Sequence, residues 1–317
     1  MDEQSFMKAL FSGVIAEDVI FPFPRLVDPE RQRLQELIEK LHGVVDQHVD
    51  SMRIDREARI DSSVLDELRA LGLFGAGVPR EFGGLGLSFS GFARLTQELS
   101  AADASLGVLV AVHGAIGLRG LLLFGTEEQK QRYLPKLASG ESVAAFALTE
   151  RASGADAGAI RTYAELDPEQ GIYHLEGSKP WVSNGDIADL ITVFARTSRV
   201  DEGQKPRITS LLVERARGVE TGSRRDTLGL RGLAITKLVL KDVRVPLENV
   251  LGEPGKGYKV AMAVLNDARV VLAATMVGQC RTIVNLTVQR LQKRRSFGRA
   301  IGEFPILKDK VARMMAD

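Results

Sequence analysis

The sequence predicts an α+β protein. An all-helical unit covers residues 30–142, a small β domain covers 143–252, and the start of a second helical bundle covers 253–317. Three observations predict this. From Leu34 to Val49 apolar residues recur at three- and four-residue spacing, with Glu, Lys and Gln between them, as one buried face of a helix requires. After residue 142 the pattern shifts to short β-branched runs broken by Gly, Asp and Pro. The helical beat then returns from Val260 to Gln292, a stretch without proline.

Taken in order, residues 1–29 read as irregular, with Phe21-Pro22-Phe23-Pro24 as an extended, turn-rich segment. The first helix starts at Pro29. A second follows Ser63, whose hydroxyl is expected to cap it with Asp66 three residues on, and buries Val64, Leu65, Leu68 and Leu71. Glu81-Phe82-Gly83-Gly84-Leu85-Gly86 lacks phosphate-loop spacing and reads as a backbone turn. Residues 91–124 read as two apolar helices. Thr126-Glu127-Glu128-Gln129 is a capping box, and Gly140 closes the helix that it opens.

Strands are expected at Val143–Thr149, Gly171–Glu176, Leu190–Thr197, Ile208–Glu214 and Thr236–Val245. In the last, Lys237, Val239, Lys241 and Val243 alternate with Leu238, Leu240 and Asp242, a two-faced strand. No helix-length pattern separates these runs, so the sheet is expected to be antiparallel, as a barrel or sandwich. A last helix starts at Phe304-Pro305, with Leu307, Val311 and Met314 as its stripe. That stripe has no partner helix in the sequence, so the end at Asp317 reads as an interruption.

Composition excludes several functions. Lys+Arg is 42 and Asp+Glu is 41, a balance that argues against a nucleic-acid binder. A single cysteine, Cys280, excludes an internal disulfide, and with four scattered histidines it offers no Cys/His zinc site. No run of about 18 uncharged apolar residues is present, so no membrane span is expected. Met1-Asp2-Glu3 lacks the basic start of a secretory signal, so a cytoplasmic or mitochondrial-matrix location is expected.

Two segments carry a specific resemblance. Ala147-Leu148-Thr149-Glu150-Arg151-Ala152-Ser153-Gly154-Ala155-Asp156 resembles the flavin-binding signature of the acyl-CoA dehydrogenases, and Gly177-Ser178-Lys179-Pro180-Trp181-Val182-Ser183-Asn184-Gly185 resembles that family's tryptophan motif. Lys241-Asp242-Val243-Arg244-Val245-Pro246, Asn249-Val250-Leu251-Gly252 and Arg294-Arg295-Ser296-Phe297-Gly298 are similar to later family motifs. The resemblance covers the whole chain. Ser5-Phe6-Met7, Phe21-Pro22-Phe23-Pro24 and residues 130–148 look most like the very-long-chain branch.

The resemblance implies FAD as cofactor and α,β-dehydrogenation of a long-chain acyl-CoA, with an electron-transferring flavoprotein as acceptor. It matches Phe146, Leu148, Thr149, Gly154, Ala155, Trp181, Val182 and Ser183 to flavin contacts. Trp181 would lie against the isoalloxazine and the Ser183 hydroxyl would bond near N5, where hydride arrives. Arg294, with Phe297 close by, matches an arginine that reaches a neighbouring subunit's pyrophosphate, which implies a homodimer or homotetramer. Ala155, Thr197, Asn266, Asp267 and Arg269 match substrate contacts. Ala101, Ala102, Ser105 and Gly107 fit either an acyl pocket or tight helix packing. Contact with a membrane surface is a further property that this branch implies.

The base is not among these residues. Most of the family carries a glutamate far beyond the motif around Arg294, expected past Asp317; a minority carries it immediately before the position of Arg269, which here is Ala268. Ala155 stands for the usual Ser or Thr, Arg151 for a common proline, Phe304-Pro305 for a frequent glutamine, and Pro180 is unusual in its motif. Two alternatives therefore stand beside the dehydrogenase: an acyl-CoA oxidase or flavin monooxygenase on the same fold, and a catalytically silent binding partner.

Overall fold

The computed structural model describes residues 6–23, 25–197, 207–215 and 217–316; Met1-Asp2-Glu3, Ser5, Pro24 and Asp317 lie outside them. The N-terminal stretch is less irregular than expected, since it forms two short helices, α1 (Phe6–Phe11) and α2 (Glu17–Ile20). Helix α3 (Asp28–His48) has proline in its first turn and buries Leu34, Ile38 and Leu41, as its periodicity requires. Helix α4 (Ser51–Glu57) is capped by Asp50. Helix α5 (Ser62–Ala70) starts one residue before the expected cap: Asp61 is the N-cap, with no side-chain bond, and Asp66 instead pairs with Arg69 at 2.6 Å.

The apolar stretch is more segmented than two helices. It forms α6 (Phe89–Ala102), α7 (Ala104–Ala111), a π-helical turn (Val112–Gly117) and α8 (Arg119–Phe124). The break before α7 has a local cause: the Asp103 carboxylate accepts the N–H groups of Ser105 and Leu106 at 2.8 and 3.1 Å. Helix α9 (Glu127–Ser139) has the expected Thr126–Gln129 capping box and ends at Gly140 with φ +76°. The glycine-rich loop is a turn that folds back on residues 75–78. Leu85 and Gly86 N–H bond the Gly75 and Val78 carbonyls, and a Cβ at Gly84 would lie 2.0 Å from Val78 O.

The central sheet contains β1 (Ala144–Ala147), β2 (Tyr163–Asp167), β3 (Ile172–Ser183), β4 (Leu190–Arg196), β5 (Ile208–Glu214), β6 (Val219–Arg224), β7 (Ile235–Pro246) and β8 (Val250–Leu251). Their order is β6-β7-β3-β2-β4-β5-β8, with β1 paired to β4. The pairing is mostly antiparallel, but β1 runs parallel to β4 and Tyr163 of β2 bridges Arg196 in parallel, so the sheet is mixed, not purely antiparallel. The alternation expected in β7 also breaks. Asp242 takes φ +46° at a register shift, which leaves Lys241 and Asp242 both exposed and turns Val243 inward at 2% exposure.

Helix α10 (Gly257–Lys293) crosses back onto the helical domain and is followed by the hairpin β9 (Arg295–Ser296) and β10 (Arg299–Ala300) and by α11 (Pro305–Ala316). Gly278 lets α10 seat on α6, because a Cβ there would lie 2.1 Å from Gln97 O. Small residues also let α7 close on α6 and on the chain before β7. A Cβ at Gly107 would meet Ser100 at 2.5 Å, and the Ser105 hydroxyl accepts Gly232 N–H at 3.2 Å.

Polar clamps join helices to sheet. Gln129 donates to the Glu248 and Val250 carbonyls at 2.7 and 2.8 Å, and the Tyr133 hydroxyl shares its proton between Glu214 (2.7 Å) and Asn249 Oδ1 (3.1 Å). His113 is fully buried in the π-helical turn. Its Nδ1 accepts Ala144 N–H at 3.0 Å and its Nε2 bonds the Leu137 carbonyl at 3.1 Å, so the neutral ring ties the end of α9 to the start of β1.

Two helical stretches, Ala104–Phe124 and Gly257–Lys293, are long and apolar enough to cross a membrane by length and composition, but each is interrupted by charge, at Arg119 in the first and at Asp267, Arg269 and Arg281 in the second. The first is a core helix, 72% buried across its most apolar window. The second sets Asp267 and Arg281 into ion pairs with Arg119 and Glu98 at 2.7 Å each, groups that seat it on the helical domain.

Candidate functional site

The two motifs meet through one buried ion pair. Lys179, in β3, is 0% exposed and reaches the Glu150 carboxylate at 2.8 Å and the Leu148 carbonyl at 2.9 Å. Glu150 also accepts the N–H groups of Arg161 at 2.6 Å and Thr162 at 2.9 Å, so its lone pairs are well used. Burial draws the Lys179 ammonium down to about 8, against the upward pull of Glu150. Burial pushes Glu150 up, but Lys179 and the N–H donors outweigh it and hold the carboxyl below its usual range. The loop after β1 is thereby pinned to β3 two residues before Trp181.

Trp181 is the only tryptophan, and its side chain stands 56% exposed in a strand whose neighbour Val182 is buried to 1%. Ser183 pairs with Ile235 of β7 at the strand's end, and the chain turns there because buried Asn184 adopts φ +59° and donates to Leu109 O at 3.3 Å. A cavity of about 730 Å³ opens beside Trp181, lined also by Glu150, Ala152, Thr162, Gly177, Ser178 and Pro180, with Arg151, Arg161, Arg225 and Lys237 as cations. The Arg225 guanidinium lies over the indole, 4.9 Å from its centroid.

The structure thus gathers part of the expected set. Trp181 lines this cavity, and Leu148 and Thr149 lead into its wall through Glu150. The Phe146 ring packs on Phe194 at 4.8 Å, in the β4 neighbourhood. Gly154 and Ala155 are exposed in the loop, and a Cβ at Gly154 would meet nothing within 4 Å, so packing does not demand glycine there.

Three of the expected substrate residues, Asn266, Asp267 and Arg269, lie together on α10, apart from Ala155 and Thr197. Arg269 bonds Asn266 at 2.5 Å, while Asp267 is held by Arg119, itself 5.2 Å from the Phe89 ring centroid. Arg119 closes a small apolar cavity between Phe74, Phe89, Phe92 and Leu122. Ala268 packs on the helical core, so Asp267 and Ala268 face different partners. Thr197 closes a strand end, its hydroxyl 2.8 Å from that of Thr209.

Arg294 caps the C-terminus of α10 and is exposed, as is Phe297, which packs edge-on to Phe304 at 6.1 Å. It stands 28 residues beyond Asn266 on the same helix, roughly 42 Å away at 1.5 Å per residue. Arg294 and the substrate group therefore cannot share one pocket within this chain.

The comparisons with known proteins agree along the chain. Models for the N-terminal, middle and C-terminal domains of acyl-CoA dehydrogenase match residues 30–141, 145–243 and 255–317. Butyryl-CoA dehydrogenase from Megasphaera elsdenii superposes with a TM-score of 0.85 at 30% identity, over 92% of this chain and 76% of that one. The chain belongs to the acyl-CoA dehydrogenase family. The human mitochondrial very long-chain specific acyl-CoA dehydrogenase is 40% identical over 319 residues, which are 99% of this chain and 49% of the relative. A probable acyl-CoA dehydrogenase of Mycobacterium tuberculosis is 35% identical over 98% of this chain and 48% of its own length. The chain thus spans about half the length of the curated relatives it matches. An acyl-CoA dehydrogenase from Bacillus anthracis, solved in complex with FAD, superposes with a TM-score of 0.82 at 33% identity, over 95% of this chain and 50% of that one.

FAD is the family's cofactor, and the residues here fit it. The cavity beside Trp181 has the size of a cofactor site and an aromatic wall for stacking. Thr162 Oγ1 is buried without a hydrogen-bond partner among the described residues, in the cavity's lining. Gly177 keeps the wall thin, since a Cβ would lie 2.4 Å from that same oxygen. The cations around it suit a diphosphate.

Sequence reasoning assigned no role to Glu150, Lys179 or Arg225. Lys179 stands beyond the expected strand end at Glu176, so nothing local marks it as buried or paired with Glu150, and nothing local marks Arg225 either.

Proposed function

We propose that the protein to which these residues belong is an FAD-dependent dehydrogenase of long-chain acyl-CoA thioesters, forming trans-2-enoyl-CoA. The observation that carries this is the Lys179–Glu150 pair, which joins the two motifs at one cavity with Trp181 in its wall. FAD, when bound, supplies the hydride acceptor. Trp181 orients the ring, and the backbone at Leu148 and Thr149, held by Lys179, offers hydrogen bonds to its edge. Ser183 donates near the hydride-accepting atom. Asn266 and Arg269 bind the polar part of the acyl-CoA, while Arg119 and Asp267 shape the wall between it and the helical domain.

The base is assigned to the part of the relatives that these residues do not span, since Ala268 carries no carboxylate and Asp267 is already paired. We further assign an electron-transferring flavoprotein as acceptor, a homo-oligomer in which Arg294 meets the neighbouring subunit's FAD, and a cytoplasmic or mitochondrial-matrix location.

Anaerobic addition of palmitoyl-CoA to the FAD-loaded full-length protein is expected to bleach the flavin, with slow recovery in air. Fast recovery in air would support an oxidase instead. Retained FAD with no bleaching would support a silent binding partner, the reading that Ala268 favours.

A further inference from the structure

Arg225 stands on the opposite side of β7 from the tryptophan motif. Its backbone N–H donates to Ile235 O at 2.8 Å, and Ile235 pairs in turn with Ser183 of β3. Arg224 beside it is fixed to Asp186 at 2.6 Å and pairs with Thr236 in the sheet. The Arg225 side chain therefore starts from an anchored backbone, spans one strand and lays its guanidinium over Trp181, 4.9 Å from the ring centroid. Both groups are exposed, and the contact that orients them is their own: the ring's quadrupole and the guanidinium charge hold each other face to face.

The charge balance of the cavity gives this stack a consequence. Arg151, Arg161, Arg225 and Lys237 line it, whereas the one carboxylate, Glu150, is already matched by buried Lys179. Reduction of a bound flavin adds negative charge to the ring system. A cation in the wall favours the reduced form over the oxidised one, and so raises the midpoint potential.

We propose that Arg225 is a positioning residue for the flavin, holding the Trp181 indole in place and raising the potential of the bound cofactor through its charge. This rests on the assignment of the Trp181 cavity to FAD.

The test uses the FAD-loaded wild type, Arg225→Gln and Arg225→Lys, with the potential read by dye-coupled titration and Trp181 emission read without cofactor. The emission reports one site, because Trp181 is the only tryptophan. Arg225→Gln is expected to lower the potential by about 30 mV, a tenfold loss of preference for the reduced two-electron form. It is also expected to shift the emission of the free chain. Arg225→Lys is expected to keep most of the potential but not the emission, since it retains the charge and loses the planar stack.

Equal potentials in all three proteins, with FAD bound in each, overturn the proposal alone. Tighter FAD binding by Arg225→Gln also overturns it, because the guanidinium would then be blocking the indole. A wild-type chain that takes up no FAD overturns the cofactor assignment together with the proposal.

Discussion

His113 makes the helix–sheet junction sensitive to acid, and the size of the effect follows from its surroundings. Complete burial lowers its pKa from 6.5 to about 4, although bonds to the Leu137 and Phe74 backbones pull it back up. The folded protein thus holds a neutral imidazole that the unfolded chain would protonate. A group whose folded pKa is depressed loses its contribution as pH falls, here between the unfolded value of 6.5 and the folded value of about 4. Linkage between those two values gives a loss of about 2 kcal/mol on going from pH 7 to pH 5, approaching about 3 kcal/mol below pH 4.

The perturbation is His113→Gln, which cannot titrate in this range. Urea unfolding of both proteins at pH 7, 6 and 5 separates this histidine from the other titrating groups, which the two share. The wild type is expected to be the more stable at pH 7, where the variant loses the bonds to Ala144 and Leu137. That advantage should shrink by about 2 kcal/mol by pH 5. Parallel stability curves for the two proteins would refute the reasoning, because they would mean that His113 is protonated in the fold or exposed to water.

Removing one partner of the buried pair should be severe: Lys179→Met strands the Glu150 carboxylate and is expected to cost about 3–5 kcal/mol in urea unfolding. Lys179→Met with Glu150→Leu should recover part of that stability but not FAD binding, because the Leu148 loop is no longer pinned. Gly278→Ala is expected to lose stability, against the gain of about 1 kcal/mol that alanine usually brings to a helix, since its Cβ would lie 2.1 Å from Gln97 O. A rise in the urea midpoint of that variant would mean that α10 does not seat on α6. Arg119→Leu should change stability by less than about 1 kcal/mol, because its pair with Asp267 is only partly buried, at 25% and 31% exposure.

The sequence was legible wherever burial was one-sided and caps were local. The Thr126–Gln129 box, the turn at Gly140 and strand β5 (Ile208–Glu214) stand where their residues indicate. Strand β6 (Val219–Arg224) was missed because almost all of it is exposed, so no alternation marks it. β2 (Tyr163–Asp167) has one buried residue and the same weakness. β3 (Ile172–Ser183) was cut short because its register shifts after Leu175 and after Lys179, which breaks the period-two pattern around Trp181. The parallel pairing of β1 with β4 was hidden by two intervening strands, β2 and β3, whose antiparallel hairpin dominates the local signal.

The candidate site shows the same division. Trp181 was found through its motif, and the structure puts it at a cavity. Glu150 and Lys179 lay within the quoted motifs, but a buried ion pair between residues 29 apart depends on tertiary placement, which no local pattern encodes. Asp267 is one residue, about 100° around the helix, from the position of Ala268, and its ion pair with Arg119, 148 residues away, gives the physical reason it is occupied.

The claim on which the rest depends is that the cavity beside Trp181 takes the flavin. Titrating FAD into the cofactor-free protein while following tryptophan emission tests it directly, because the whole signal comes from Trp181. Saturable quenching at one FAD per chain, lost in Lys179→Met/Glu150→Leu, is the expected result. Emission that only dims in proportion to flavin absorbance, with no saturation, would contradict it.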